Sequence, residues 1–302
     1  AEIKDLEKQP ANLEVSKKLF YEDNFARLPE LTLVWPTVPS YHEDSYALEV
    51  LAKYLASGKN APLYKELVAS QKLTPGVRMY NYTSELAGQL MLQVRAYDGK
   101  DLDSVHAAVQ ETFKRFEAEG ISEKDLKRIK AGQETAFYNS LSSVLGKGFQ
   151  LAQYEIFAND PHMINKEINY ILAVTPQDVM RVYQKYIKDQ PYVATSFVPK
   201  GQVELALQGS DLAEVEEEQI VMGAEQEFDL EEEVTYQRTP SSFDRTVEPP
   251  YGDSPQVKVP EIWEENLQSG LEIYGITNSE VPLVQFMLEI KGGMLLEDPA
   301  KI

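Results

Sequence analysis

The stretch over residues 121–157 constrains the fold more than any other part of the chain. Ser122 opens it and Asp125 follows three residues later. This is the capping-box pattern, in which a hydroxyl and an acid satisfy the free amides of a helix start. Apolar residues then recur at helical spacing: Leu126, Ile129, Ala136 and Phe137, Leu141, Val144 and Leu145, Phe149, Ala152 and Ile156. Charged Lys127, Arg128, Lys130 and Glu134 stand off that stripe. A straight helix of this length would reach roughly 50 Å, more than a small domain is wide. Glycine weakens a helix interior by about 1 kcal/mol, so Gly146 and Gly148 mark the expected break. The spacing predicts two helices, or one kinked helix, lying across a sheet.

The segments around this stretch read in a consistent order. Residues 14–23 form a predicted strand. Leu31, Leu33 and Trp35 alternate with Thr32 and Val34, giving a half-buried strand ended by Pro36 and Pro39. A helix over 43–57 buries Tyr46, Val50, Leu51, Tyr54 and Leu55 and stops near Gly58. A shorter helix over 60–73 carries Pro62 near its start, where a missing amide costs nothing. Strands over 76–83 and 89–97 pair through a turn at 85–88. Asp101 caps a helix over 102–118 whose stripe is Val105, Ala108 or Val109, Thr112 or Phe113, and Phe116, and Gly120 ends it. After the long stretch, Thr175, Pro176 and Asp178 open a helix to Ile187 that buries Val179, Val182, Tyr186 and Ile187. A strand over 192–201 closes the series. The order predicts an α+β fold, a largely antiparallel sheet with helices on one face.

Several phrases in this order resemble the pitrilysin/insulinase family of zinc metallopeptidases, whose domains are processing-peptidase-like. They are LPELTLVWPTVP at 28–39, GKNAPLYKELV at 58–68, VTPQDVMRVYQKYI at 174–187 and FVPKG at 197–201. The long stretch adds an acidic helix start, a Lys/Arg pair, an aromatic, LAQYE and a DP exit. The resemblance covers about residues 14–201. It implies one domain of that family over residues 1–202.

Beyond residue 210 the composition shifts. Residues 211–234 are crowded with Asp and Glu and nearly free of Lys and Arg, and the acids lack the spacing of a calcium loop. A solvated, self-repelling linker is the expected reading. With the Pro-rich run to Trp263 it gives an inter-domain linker over 203–260. Residues 261–302 then read as opening strands of a following domain, at 271–276 and 282–290, joined near Asn278 and Ser279. They resemble the start of a second domain in the same family, which repeats similar domains along one chain. A lone hairpin is marginal, so it should pack on something or pair with another molecule, a possible homo-oligomer contact. The chain starts at Ala1 without an initiator Met and stops at GGMLLEDPAKI in the middle of a pattern, so both ends are expected to lie within a longer protein.

The net charge of −20 argues against nucleic acid and anionic lipid. No apolar run approaches the ~20 residues of a membrane span. The absence of cysteine rules out disulfides and thiolate metal sites and fits a bacterial periplasmic or envelope protein. The family's chemistry rests on an inverted zinc motif, H-x-x-E-H, with a further Glu downstream. Here the histidines are His42, His106 and His162, and none has a His partner three or four residues away. Tyr46 stands where HEDSY would need its second His. Each histidine is therefore read as structural or solvated. The family's substrate-holding Arg and Tyr have no counterpart, since Val68 and Pro75 stand at those places in PLYKELVASQKLTPGV. There is no phosphate loop at Gly146 and no nucleophile elbow. Thus no catalytic or metal residue is assigned, and substrate-binding residues stay open.

The resemblance implies an internal, non-zinc segment of a metallopeptidase that cleaves peptides in a chamber of two halves. Zinc would be bound in the parent outside this segment. The segment would brace the zinc domain and line the chamber, with the acidic linker as hinge and peptides and neighbouring domains as partners. Alone it should neither bind zinc tightly nor cleave peptides. The alternatives are a non-catalytic scaffold or peptide-binding subunit of the same fold, and an unrelated α+β binding module.

Overall fold

The half-buried strand is the centre of the structure. In the computed structural model, which describes residues 12–215, 259–290 and scattered positions within 244–256 and 292–301, strand β2 (Glu30–Thr37) alternates strictly between the two faces of a sheet. Leu31, Leu33 and Trp35 are at most 1% exposed. Its neighbours are β1 (Lys17–Asp23), β3 (Val77–Thr83), β4 (Gly88–Arg95), β5 (Val193–Pro199) and the short β6 (Asp211–Leu212). The sheet order is β3-β4-β2-β5-β1-β6. The β3–β4, β2–β4 and β2–β5 pairs are antiparallel, whereas β1 pairs in parallel with β5 and β6. Leu33 sits opposite both Leu92 and Ala194, so three strands contribute to one apolar row.

Helices cover the buried face. They are α1 (Glu43–Ala56), α2 (Leu102–Glu119), α3 (Glu123–Ser140), α4 (Val144–Gln153), α5 (Glu167–Ala173) and α6 (Pro176–Tyr186). Helix α1 buries Ala47, Leu48, Leu51, Ala52 and Leu55 against the sheet, while Tyr46 and Tyr54 pack at its margin. Val50, Leu51 and Leu55 of the expected stripe are fully buried, and Ala47, Leu48 and Ala52 widen it. The segment at Pro62 continues as a π-helical turn, Tyr64–Ser70. The caps stand where the sequence places them. Asp101 accepts from the Ser104 amide, Ser122 from Asp125, and Thr175 closes a reciprocal capping box with Asp178. Gly120 ends α2 at φ +69°, a conformation that favours glycine.

Two expectations are corrected. The long stretch breaks at Leu141–Ser143, and Gly146 and Gly148 lie inside α4. Ser143 caps α4 by accepting from the Gly146 amide at 3.0 Å. A Cβ on Gly146 would stand 2.2 Å from the Ser140 carbonyl oxygen, so this glycine permits a tight corner and does not break a helix. The apolar stripe also divides. Leu126, Ile129 and Phe137 are buried on α3, but Val144, Leu145, Phe149 and Ile156 are exposed.

The second correction concerns the late hairpin. Strand β7 (Ile262–Asn266) pairs with β8 (Glu272–Ile276) in an antiparallel hairpin. Residues 283–290 are not in a strand. The turn falls at 267–270, where Gly270 has φ +83° and donates to the Leu267 carbonyl at 2.9 Å. That left-handed glycine turn outcompetes Asn278–Ser279. The chain divides into two units, one of Ala1–Ala213 with Glu280–Ile302 and the other of Glu214–Ser279, which contains this hairpin. Most of the acidic run at 211–234 and the first residues of the chain lie outside the described residues.

Candidate functional site

Above the sheet edge, α1, α3, α4 and α5 leave a cleft of about 750 Å³. Each wall has a simple origin in the chain. The approach to α1 contributes Tyr41, which adopts φ +62°, and the first turns of α1 contribute Tyr46 and Glu49. The end of the edge strand β3 contributes Tyr82 and Thr83. Gln133 and Phe137 come from α3, Gln150 from α4, Phe157 from the π-helical turn Tyr154–Ala158, and Glu167 from α5. A second cavity of about 480 Å³ adjoins it. The two share Ser40, Tyr41, Tyr46 and Phe157.

Aromatic rings define the lining. Tyr46 stacks on Tyr170 with ring centres 5.6 Å apart, and Tyr41 tilts against Tyr154 at 5.3 Å. Tyr154 is fully buried and its hydroxyl donates to the Glu167 carboxylate. Burial pushes the Glu167 carboxyl above its ordinary value, although the Tyr154 hydrogen bond works the other way. Burial, aided by Glu167, pushes the Tyr41 hydroxyl up to about 12 and raises Tyr46 as well. These tyrosines stay neutral at physiological pH, so they can donate hydrogen bonds but cannot serve as bases. Glu49 is held by Lys53 at 3.0 Å. Among the described residues, Tyr46 Oη and Gln133 Oε1 are buried polar atoms without a hydrogen-bond partner, and both residues line this cleft.

Each histidine has a structural task or a solvated place. The His42 Nδ1 caps α1 by accepting from the Asp44 amide at 3.0 Å. His106 Nε2 lies 3.1 Å from the Tyr192 hydroxyl, and burial lowers its pKa. His162 follows Pro161 and donates its backbone amide to Asp160. The structure brings none of them together. Asp44 is occupied too: its carboxylate is 1% exposed and accepts from Arg181 at 2.5 Å, Lys185 at 2.8 Å and the Tyr186 hydroxyl at 2.6 Å. Among the described residues, no group of three or more His, Cys, Asp or Glu is placed to hold a metal ion. His42 and Asp44 at the start of α1 are thus taken up by capping and ion pairing, and the cleft offers hydrogen bonding, apolar contact and the carboxylates of Glu85 and Glu167.

The sequence does not single out this cleft. Tyr46 reads as part of a buried stripe, and Gln133 falls inside the α3 stripe between Ile129 and Phe137. A lone polar residue at a stripe position is the signal that points to it.

Residues 1–133 match the family model for the peptidase M16 inactive domain. That stretch is an M16 inactive-domain segment. Solved structures extend the likeness over the rest of the sheet. A protease from Helicobacter pylori superposes with a TM-score of 0.57 at 20% identity, over 62% of this chain and 44% of that one. An inactive peptidase domain of a candidate zinc protease from Bordetella parapertussis gives 0.52 at 19% identity, over 57% of this chain and 93% of that one. The periplasmic protease PqqL from Escherichia coli gives 0.53 at 13% identity, over 62% of this chain and 21% of that one. Identities this low establish the fold shared with the M16 segment. The chain spans less than half the length of the Helicobacter and Escherichia proteins. No curated protein matches the chain.

Proposed function

We propose that this chain is a non-catalytic part of a zinc metallopeptidase and holds peptide against one wall of its substrate chamber. The observation that carries this reading is the aromatic cleft itself. It has the size of a ligand site and neutral polar groups inside it, while the start of α1 lacks a metal-ligating set. Zinc and the catalytic base would be supplied by another part of the parent protein. The acidic and Pro-rich run after β6 would connect this domain to the next, and the 262–276 hairpin would dock on another domain or another copy. The periplasmic Escherichia neighbour supports an envelope location, and among the described residues no helix is long and apolar enough to cross a membrane.

The test is hydrolysis of a fluorogenic peptide by the full-length parent, with and without chelator. Chelator-sensitive cleavage by the parent is expected. No cleavage by a zinc-loaded parent would instead make the parent a scaffold.

A further inference from the structure

A buried polar group without a partner costs free energy, and native proteins leave few of them. Two of the unpartnered buried atoms among the described residues, Tyr46 Oη and Gln133 Oε1, line one cleft. Gln133 is only 8% exposed. The two atoms ask for different things. Gln133 Oε1 accepts only, while the Tyr46 hydroxyl, kept neutral by its setting, is free to donate. The peptide backbone offers both an N–H donor and a C=O acceptor in every residue but proline. Around the pair stand rings from Tyr41, Tyr82, Phe137 and Phe157, which suit an apolar or aromatic side chain. The charged groups are unfavourable to an acid: Glu85 and Glu167 line the same space, and Lys53 is already held by Glu49.

We propose that Gln133 and Tyr46 form a backbone-amide clamp for a peptide carrying an uncharged aromatic or aliphatic residue. The peptide N–H donates to Gln133 Oε1, the Tyr46 hydroxyl donates to a peptide carbonyl, and the side chain enters the ring-lined space. The proposal rests on the reading that this chain lines a peptide chamber, and it names the residues and the peptide class. It requires no chemistry in the cleft and no metal.

The test measures affinity, not turnover, so it fails separately from the peptidase reading. The probe is an acetylated, amidated tetrapeptide with phenylalanine at its second position. Its analogues are methylated at the phenylalanine amide nitrogen, or carry glutamate in place of phenylalanine. Titration of the full chain is expected to show binding of the parent peptide and weaker binding of both analogues. Tyr46→Phe and Gln133→Leu should each weaken the parent peptide by roughly 3- to 10-fold, the worth of one net hydrogen bond. Methylation should weaken binding to the wild-type chain but add little in Gln133→Leu, because the acceptor is already gone. Both variants should melt at or above the wild-type temperature without peptide, since each removes an unsatisfied buried group; a purely structural role would lower the melting temperature. Full-strength binding by both variants, a methylation penalty unchanged in Gln133→Leu, or no binding by the wild-type chain would overturn the proposal.

Discussion

At the scale of single residues, the charged side chains near α1 are employed in holding the fold. Asp44 ties the first turn of α1 to α6 through Arg181, Lys185 and Tyr186. Burial opposes its ionisation, and the three hydrogen bonds outweigh that and hold the carboxyl well below its ordinary 3.8. The ionised form therefore stabilises the fold at any pH above 3.8, and that stabilisation is lost as the pH falls from there toward the depressed folded value. Asp44→Asn should cost about 1.5–3 kcal/mol at pH 7, the worth of hydrogen bonds to a charged group, because its cations are themselves half exposed. Urea unfolding at pH 7 and at pH 3 measures it, and the difference from wild type should shrink at the lower pH. Glu167 works in the opposite sense. Its folded pKa is raised above 4.5, so between those values the folded carboxyl keeps a proton that the unfolded chain has lost. Stability from this group is present below 4.5 and lost as the pH rises through the folded value. Glu167→Gln should thus be neutral or stabilising at pH 7, with its advantage over wild type shrinking by pH 5; denaturant midpoints at the two pH values read it. Neither residue announces itself in the sequence. Asp44 looks like one more acid of a helix first turn, and its partners lie well over a hundred positions away.

At the scale of elements, the α3–α4 corner shows what periodicity can and cannot reveal. Spacing identifies both helices and their shared stripe, because 3.6-residue periodicity is a local property. Propensity treats Gly146 and Gly148 alike and puts the break at both, whereas packing separates them. Gly146 lies against the Ser140 carbonyl, and Gly148 has nothing within 4 Å of where a Cβ would stand. Gly146→Ala should destabilise the fold by about 1–3 kcal/mol through overpacking. Gly148→Ala should stabilise it by up to about 1 kcal/mol through helix propensity. Thermal unfolding of the two variants separates these signs. The stripe likewise says that α4 is amphipathic but not what covers it. Leu48 on α1 is fully buried and Phe149 on α4 is 66% exposed. Leu48→Ala should cost about 2–5 kcal/mol and Phe149→Ala within about 0.5 kcal/mol, again by denaturant unfolding.

At the scale of the whole molecule, the α+β order was legible because strands, caps and Gly or Pro stops are each local signals that agree with one another. The strand alternation of Leu31, Leu33 and Trp35, the Thr175 capping box and the paired β3–β4 strands all stand as read. The parallel pairing of β1 with β5 was not legible, since residues 17–23 and 193–199 meet only through tertiary packing. The cleft was hidden for the same reason: its walls come from six segments between Ser40 and Ile171. What emerges is a chain whose residues 1–133 match the M16 inactive domain, with the start of α1 taken up by capping and ion pairing beside a cleft with hydrogen-bonding groups to offer. The proposal that this chain holds peptide stands or falls on whether the chain itself turns peptide over. Its most direct measurement is hydrolysis of a quenched fluorescent peptide by the purified chain with equimolar zinc, beside the parent at the same concentration. No chelator-sensitive turnover is expected from the chain, and clear turnover is expected from the parent. Metal-dependent cleavage by the chain alone would contradict it.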